Sequence, residues 1–317
     1  MDSIKNLLQN CAGLKSNEKV LIITDTETEK VGKAIAEESE KMAETNCISL
    51  PSMNMHGQEP TPEVADLMLK HDVVLGLTRK SLAHTKARFN ATQNGSRFLS
   101  LPDYSLELLN HKALSFNFRL LAEEANRFAI ALTKAEKCKV TTSKGTDISF
   151  NLKSRVANSC PGFACNPGEL ASPPDSEVNI APLESETNGV IVVDGSIPCD
   201  EIGTLNSPIT ITITDGYISN FEGEKSDVLR KLFKDTGHQS SKILGELGFG
   251  LNPNADLCGI MLVDEGCRGT VHFGFGSNNT IGGKNYAPIH LDMVIKSPTV
   301  ILDTIIIVKN GNIIELP

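Results

Sequence analysis

A chain of 317 residues is long enough for two domains with separate apolar interiors, and its 40% hydrophobic and 22% charged residues are ordinary globular values. The net charge of −9 lacks the basic face that a sequence-independent nucleic-acid binder needs, and no window reaches the roughly 18 apolar residues of a membrane span. A cytoplasmic protein that engages neither nucleic acid nor membrane is expected, and its eight cysteines, with no CxxC pair among them, are expected to be free thiols rather than a zinc knuckle or a secreted disulfide framework.

The chain opens with a predicted helix near 2–12 and a strand, VLIITD, at 20–25. A Glu/Lys-rich helix at 28–43, a strand at 47–51, a helix from Pro60 to about Lys70 and a strand at 72–78 follow. Next come a helical stretch containing His84, the strand FLSLP at 98–102 and a helix at about 119–134. Strands alternating with helices signal a parallel sheet with crossover helices, so residues 1–135 read as a doubly wound α/β domain. The turn after the first strand, Thr24 to Glu29, is acidic and has no glycine, which argues against a dinucleotide there. Arg79, Lys80, Ser81, His84, Thr85 and Arg88 form a polar cluster past a strand's C-terminal end, readable as a ligand site or as a solvated helix start.

Beyond 135 the pattern changes, and residues 136–317 read as a β-rich α+β domain. A hairpin at 138–152 is followed by β-branched runs at 190–197 and 208–221, one clear helix at about 225–236, a second at 238–245, and a strand, Asn-Gly turn and strand over 299–316.

Four segments of this half carry candidate chemistry. Glu169 sits in the Pro/Gly-rich loop NPGELASPP, where taken alone it reads as a solvated loop acid. Glu246 is the only charge in LGELGFGLNP, and a carboxylate in such surroundings needs a partner. Asp264 and Glu265 lead to His272 in TVHFGFG, where glycines leave room for close approach. His290 and Asp292 are two residues apart, so on a strand they leave the same face. Glu169, Glu246, His272, His290 and Asp292, three carboxylates and two imidazoles, suit one or two divalent ions better than a nucleophilic triad. No GxSxG elbow is present, and the only local Cys/His alternative is Cys267 with His272.

The order NPGE, LGE with an NP turn, DE with His272 in HFGFG, and HLD resembles the aminopeptidase T / aminopeptidase S family of metallopeptidases over most of residues 160–295. The resemblance implies a homodimer with a site of Glu169, Glu246, His272, His290 and Asp292 holding one or two zinc, cobalt or manganese ions. The expectation that follows is a metal-dependent hydrolase in which metal-activated water attacks an amide carbonyl of a short peptide or small molecule, with Glu169 or Glu246 as bridging ligand or general base. The chain departs from that family at Asn279, where a catalytic tyrosine is expected; Tyr286 lies nearby in a different motif position. The short, glycine-rich form is also similar to the dihydroxypyridine ring-opening dioxygenases. That alternative implies a single Fe(II) held by His272, His290 and Asp292.

Overall fold

The computed structural model describes residues 3–314 and Leu316; Asp2 and Glu315, within the first expected helix and the last expected strand, lie outside the described residues. The chain divides into two compact units, 1–120 with 162–174, and 121–161 with 175–317.

In the first unit, apolar continuity builds a parallel sheet from β1 (Lys19–Asp25), β2 (Glu44–Leu50), β3 (Val73–Leu77) and β4 (Arg97–Ser100). β1 and β3 are buried almost throughout, as strands covered on both faces are. The order is β2-β1-β3-β4, completed by the two-residue strand Leu170–Ala171 beside β4. Helices α1 (Glu29–Ser39), α2 (Pro62–Met68) and α3 (Lys86–Gln93) occupy the crossovers. Pro62 opens α2, and the Thr85 hydroxyl caps α3 by accepting from the Arg88 amide. Leu21, Ile23, Val74 and Phe98 from the strands pack with Val64, Met68, Ala87 and Ala91 from α2 and α3.

The expected boundary at 135 is displaced: helix α4 (Ala122–Lys134) goes with the second unit. Its apolar face explains this, because the Phe128 ring packs 4.7 Å from that of Phe249. Residues 162–174 then rejoin the first unit to supply the Leu170–Ala171 strand.

Among the described residues, the second unit contains two antiparallel sheets of eight and seven strands, in keeping with the β-rich α+β reading. The seven-stranded sheet has β5 (Asn158–Cys160) at one edge, then β6 (Glu177–Ile180), β7 (Leu244–Gly250), β8 (Thr270–Gly276) and β9 (His290–Lys296), with Ser196–Ile197 and Gly203–Thr204 beyond. The helix expected at 238–245 is only a short 3-10 turn, Gln239–Lys242, running into β7. The reason is local: the three glycines of LGELGFG would each cost a continuing helix about 1 kcal/mol, whereas the alternation from Glu246 to Gly250 suits a strand.

Alternation also decides what each face of this sheet carries. Leu247, Phe249, Val271, Phe273, Phe275, Met293 and Ile295 leave one side and are buried. Phe273 stacks 6.0 Å from Phe150 of the eight-stranded sheet, so that side forms the sandwich core. Glu177, Asn179, Glu246, Gly248, His272, Gly274, His290 and Asp292, at the alternate positions, share the other side. No helix among the described residues is long and apolar enough to cross a membrane.

Candidate metal centre

Strand register places the candidate ligands. Gly248 of β7 lies opposite His272 of β8, while Glu246, Gly274 and Asp292 form a row across β7, β8 and β9. On the other flank Gly250 lies opposite Glu177 of β6, and Gly248 opposite Asn179.

Each imidazole crosses a glycine to reach an acid on the strand beyond. A Cβ at Gly248 would stand 1.9 Å from His272 Nε2, so the ring passes over this bare backbone and comes 2.9 Å from Glu177 Oε2. The second crossing repeats the geometry one strand along. A Cβ at Gly274 would stand 2.7 Å from His290 Cε1, and His290 Nε2 lies 3.0 Å from Glu246 Oε2 and 3.3 Å from Asp292 Oδ1. Glu246 belongs to both, its Oε1 being 3.8 Å from His272 Nε2.

The result is two overlapping groups, Glu177–Glu246–His272 and Glu246–His290–Asp292, each with donor atoms within 4.8 Å of one another. Glu177, Glu246, His272 and Asp292 are buried, whereas His290 leaves 36% of its side chain exposed. His290 Nδ1 lies 2.8 Å from the Ser277 carbonyl oxygen, which only accepts. Nδ1 therefore carries a proton, and Nε2 is the nitrogen that would offer its lone pair to an ion once its own proton is displaced. Asn179 Nδ2 donates to Glu177 Oε1 at 2.6 Å, turning the other oxygen toward His272.

The charge balance calls for a cation. Besides Glu177, Glu246 and Asp292, the buried acids Asp175 and Glu265 act on this cluster, giving five carboxyl groups against two imidazoles. Burial, reinforced by Glu177, raises Asp175 well above the ordinary carboxylate range; burial, reinforced by Asp292, does the same to Glu265. Burial also raises Glu177, while Glu246 is lowered because contacts with His272 and His290 outweigh its burial. Asp292 is lowered because the histidines, His290 foremost, outweigh its burial. Burial alone would lower both histidines, but Glu177 at His272 and Asp292 at His290 reverse it and raise them well above the ordinary imidazole value. Asp175 Oδ1 is buried with no hydrogen-bond partner among the described residues, and Glu177 Oε2 and Asp292 Oδ1 are buried against imidazole nitrogens alone. Buried carboxylate oxygens facing imidazole nitrogens, with further buried acids acting on them, fit a shared divalent ion, since burying such charges uncompensated costs several kcal/mol.

Of the expected ligands, Glu246, His272, His290 and Asp292 are brought together; Glu169 is not among them. Glu169 lies in the other unit, and its own loop occupies its carboxylate: Oε2 accepts from the Cys165 and Asn166 amides, both at 2.8 Å, and Oε1 from Asn166 Nδ2 at 2.7 Å. The acid that stands with His272 in addition to Glu246 is Glu177. Its signal in the sequence is the alternation in EVNI, with Asp175 two residues earlier. Asp264 closes a turn by accepting from the Cys258 and Gly259 amides at 2.7 and 2.9 Å. The Cys267 thiol donates to the Ala255 carbonyl, and His272 Nε2 faces the acids instead.

Residues 1–315 match the family model NicX, described as 2,5-dihydroxypyridine 5,6-dioxygenase. The chain belongs to the NicX family. A curated relative, the 2,5-dihydroxypyridine 5,6-dioxygenase of Pseudomonas putida, is 27% identical over 207 residues, a match covering 62% of this chain and 58% of that protein. The solved 2,5-dihydroxypyridine dioxygenase of P. putida KT2440 superposes with a TM-score of 0.80 at 20% identity, covering 99% of this chain and 96% of that one. AmpT from Thermus thermophilus superposes with a TM-score of 0.72 at 14% identity, covering 99% and 98%; at these identities the two superpositions establish the fold. Membership of NicX overturns the expected aminopeptidase-type hydrolase, and with it metal-activated water attacking an amide and a metalloprotease assignment. What the aminopeptidase resemblance captured is the shared architecture.

Proposed function

We propose that the protein is an iron-dependent dioxygenase that opens the ring of a small hydroxylated aromatic of the dihydroxypyridine class. The observation that carries this reading is that His272, His290 and Asp292 share the polar face of one sheet, in two donor groups joined by Glu246, in a chain whose family bears a dihydroxypyridine dioxygenase description. Two imidazoles and a carboxylate are the donor set of mononuclear non-haem iron oxygenases. When bound, iron(II) supplies open coordination positions and redox chemistry toward dioxygen.

The chain's own residues supply orientation and proton transfer. His290, the exposed member, marks the side from which a substrate enters, and the Ser277 carbonyl fixes its ring. Glu246, between the histidines, and Glu177, held by Asn179, are placed to accept a proton from a ring hydroxyl. The apolar reverse face of the sheet holds these groups in register.

The test is anaerobic purification with iron(II), metal analysis, and oxygen uptake with 2,5-dihydroxypyridine. One iron per chain, and one dioxygen consumed per molecule of substrate as the ring absorbance disappears, is the expected outcome. Two zinc, cobalt or manganese ions per chain, or ring loss without oxygen uptake, would overturn the proposal.

A further inference from the structure

We infer that Asn278, outside the ligand set, is a positioning residue that sets the orientation of the metal-binding face from its open end; the inference rests on the metal-site reading above. Asn278 follows β8 directly after Ser277 and is fully buried. Both ends of its amide are hydrogen-bonded to the chain. Oδ1 accepts from the Asn285 amide at 2.8 Å, and Nδ2 donates to the Gly245 carbonyl at 3.1 Å and to Glu184 Oε1 at 3.2 Å.

These bonds join two ligand-bearing strands. Gly245 immediately precedes Glu246 on β7, and Ser277, next to Asn278, presents the carbonyl that holds His290 Nδ1. Asn285 closes the loop from its other end, donating through Nδ2 to the Gly276 carbonyl at 2.7 Å and the Ser240 carbonyl at 2.8 Å. Glu184 reinforces it by accepting also from the Lys284 amide at 2.7 Å and by pairing with Arg155.

Close packing shows how tightly the amide is seated. A Cβ at Gly283 would lie 2.0 Å from Asn278 Cγ, and one at Gly245 would lie 3.0 Å from Asn278 Cβ. Backbone thus encloses this side chain on two sides, so the amide transmits the position of the 278–285 loop to both Glu246 and His290.

Cobalt(II) alone is the probe. The metal-free full-length protein is titrated with it without oxygen, reading affinity and the visible ligand-field bands. Asn278→Asp keeps the volume but loses both donor bonds, and Asn278→Ala removes the amide; both should bind about ten- to hundredfold more weakly with shifted bands. Asn6→Ala is the control: this buried amide donates to the Leu114 and Phe116 carbonyls in the first unit. It should lower the melting temperature and leave cobalt affinity and bands unchanged. Wild-type affinity and bands in both Asn278 variants, or equal weakening in Asn6→Ala, would overturn the inference alone. A wild-type protein that binds no cobalt would overturn both this inference and the proposed function.

Discussion

The two crossings of the site, His272 over Gly248 to Glu177 and His290 over Gly274 to Glu246, use one geometry in two environments. The inner crossing is sealed: His272 is 1% exposed and its Nδ1 has no hydrogen-bond partner. In the outer crossing the ring is about a third exposed, and the Ser277 carbonyl fixes its Nδ1 proton. The inner imidazole is oriented by packing and charge, the outer one by a hydrogen bond. Under the proposed function, the sealed ring is the anchor and the open one borders the space that a substrate must enter.

Removing the outer ring should have the largest effect. His290→Ala deletes a donor from the Glu246–His290–Asp292 group, and elemental analysis should find metal content and oxygenase activity lost while circular dichroism stays native. Full metal occupancy in this variant would sink the ligand assignment. Adding a methyl under each ring compares the crossings directly. Gly248→Ala places its Cβ 1.9 Å from a sealed nitrogen, and Gly274→Ala places its Cβ 2.7 Å from a ring with solvent on one side. Gly248→Ala should cost stability by about 1–3 kcal/mol and abolish metal binding, with a smaller loss for Gly274→Ala. Thermal melts and metal titrations read both; equal effects would remove the distinction between anchor and open ligand.

The pairing of His290 with Asp292 at i and i+2 was legible in the sequence, as were the glycines beside His272 and the lone charge Glu246 in an apolar run. The acid reached by the inner crossing was not, because it depends on register between strands far apart in the chain: Gly250 opposite Glu177 brings together residues 73 positions apart. Pro and Gly around Glu169 drew attention to a carboxylate that its own loop already satisfies, while Glu177 lies in the short run EVNI. The parallel sheet was readable from the apolar runs of β1 and β3. The return of residues 162–174 to the first unit was not, since a two-residue strand has no periodicity to detect.

The buried charges make the metal-free protein sensitive to pH in a definite direction. His272, His290, Asp175, Glu177 and Glu265 all have native values raised above their ordinary ones. Each therefore contributes stability that is fully present below its unfolded value, about 6.5 for histidine and about 4 for the acids, and lost as pH rises through the native value. Glu246 and Asp292 are lowered, so their contribution is present above about pH 4 and lost only on acidification. The melting temperature of the chelated protein should fall above about pH 4 as the three raised acids ionise, and further above about pH 6.5 as the histidines lose their protons. Added metal should oppose that fall, because it replaces the protons on both imidazoles. A chelated protein whose melting temperature holds or rises over this range would contradict the charge balance at both crossings.

The smallest effect separates the acid at the inner crossing from its neighbour in sequence. Glu177→Gln leaves the strand intact but removes a charge that faces His272, so metal affinity should fall by about ten- to hundredfold. Glu169→Gln makes the same chemical change eight residues earlier, where the carboxylate accepts two backbone amides and the Asn166 side chain. An amide oxygen can still accept the two backbone N–H groups, and the Asn166 amide can turn to match. What is lost is the strengthening of those bonds by charge, about 1 kcal/mol. Calorimetry of Glu169→Gln should show a melting temperature lower by a few degrees with metal content unchanged. If Glu169→Gln lost metal and Glu177→Gln kept it, the inner crossing would not end at a metal-binding acid, and the exposed half of the site would have to bind the ion without it.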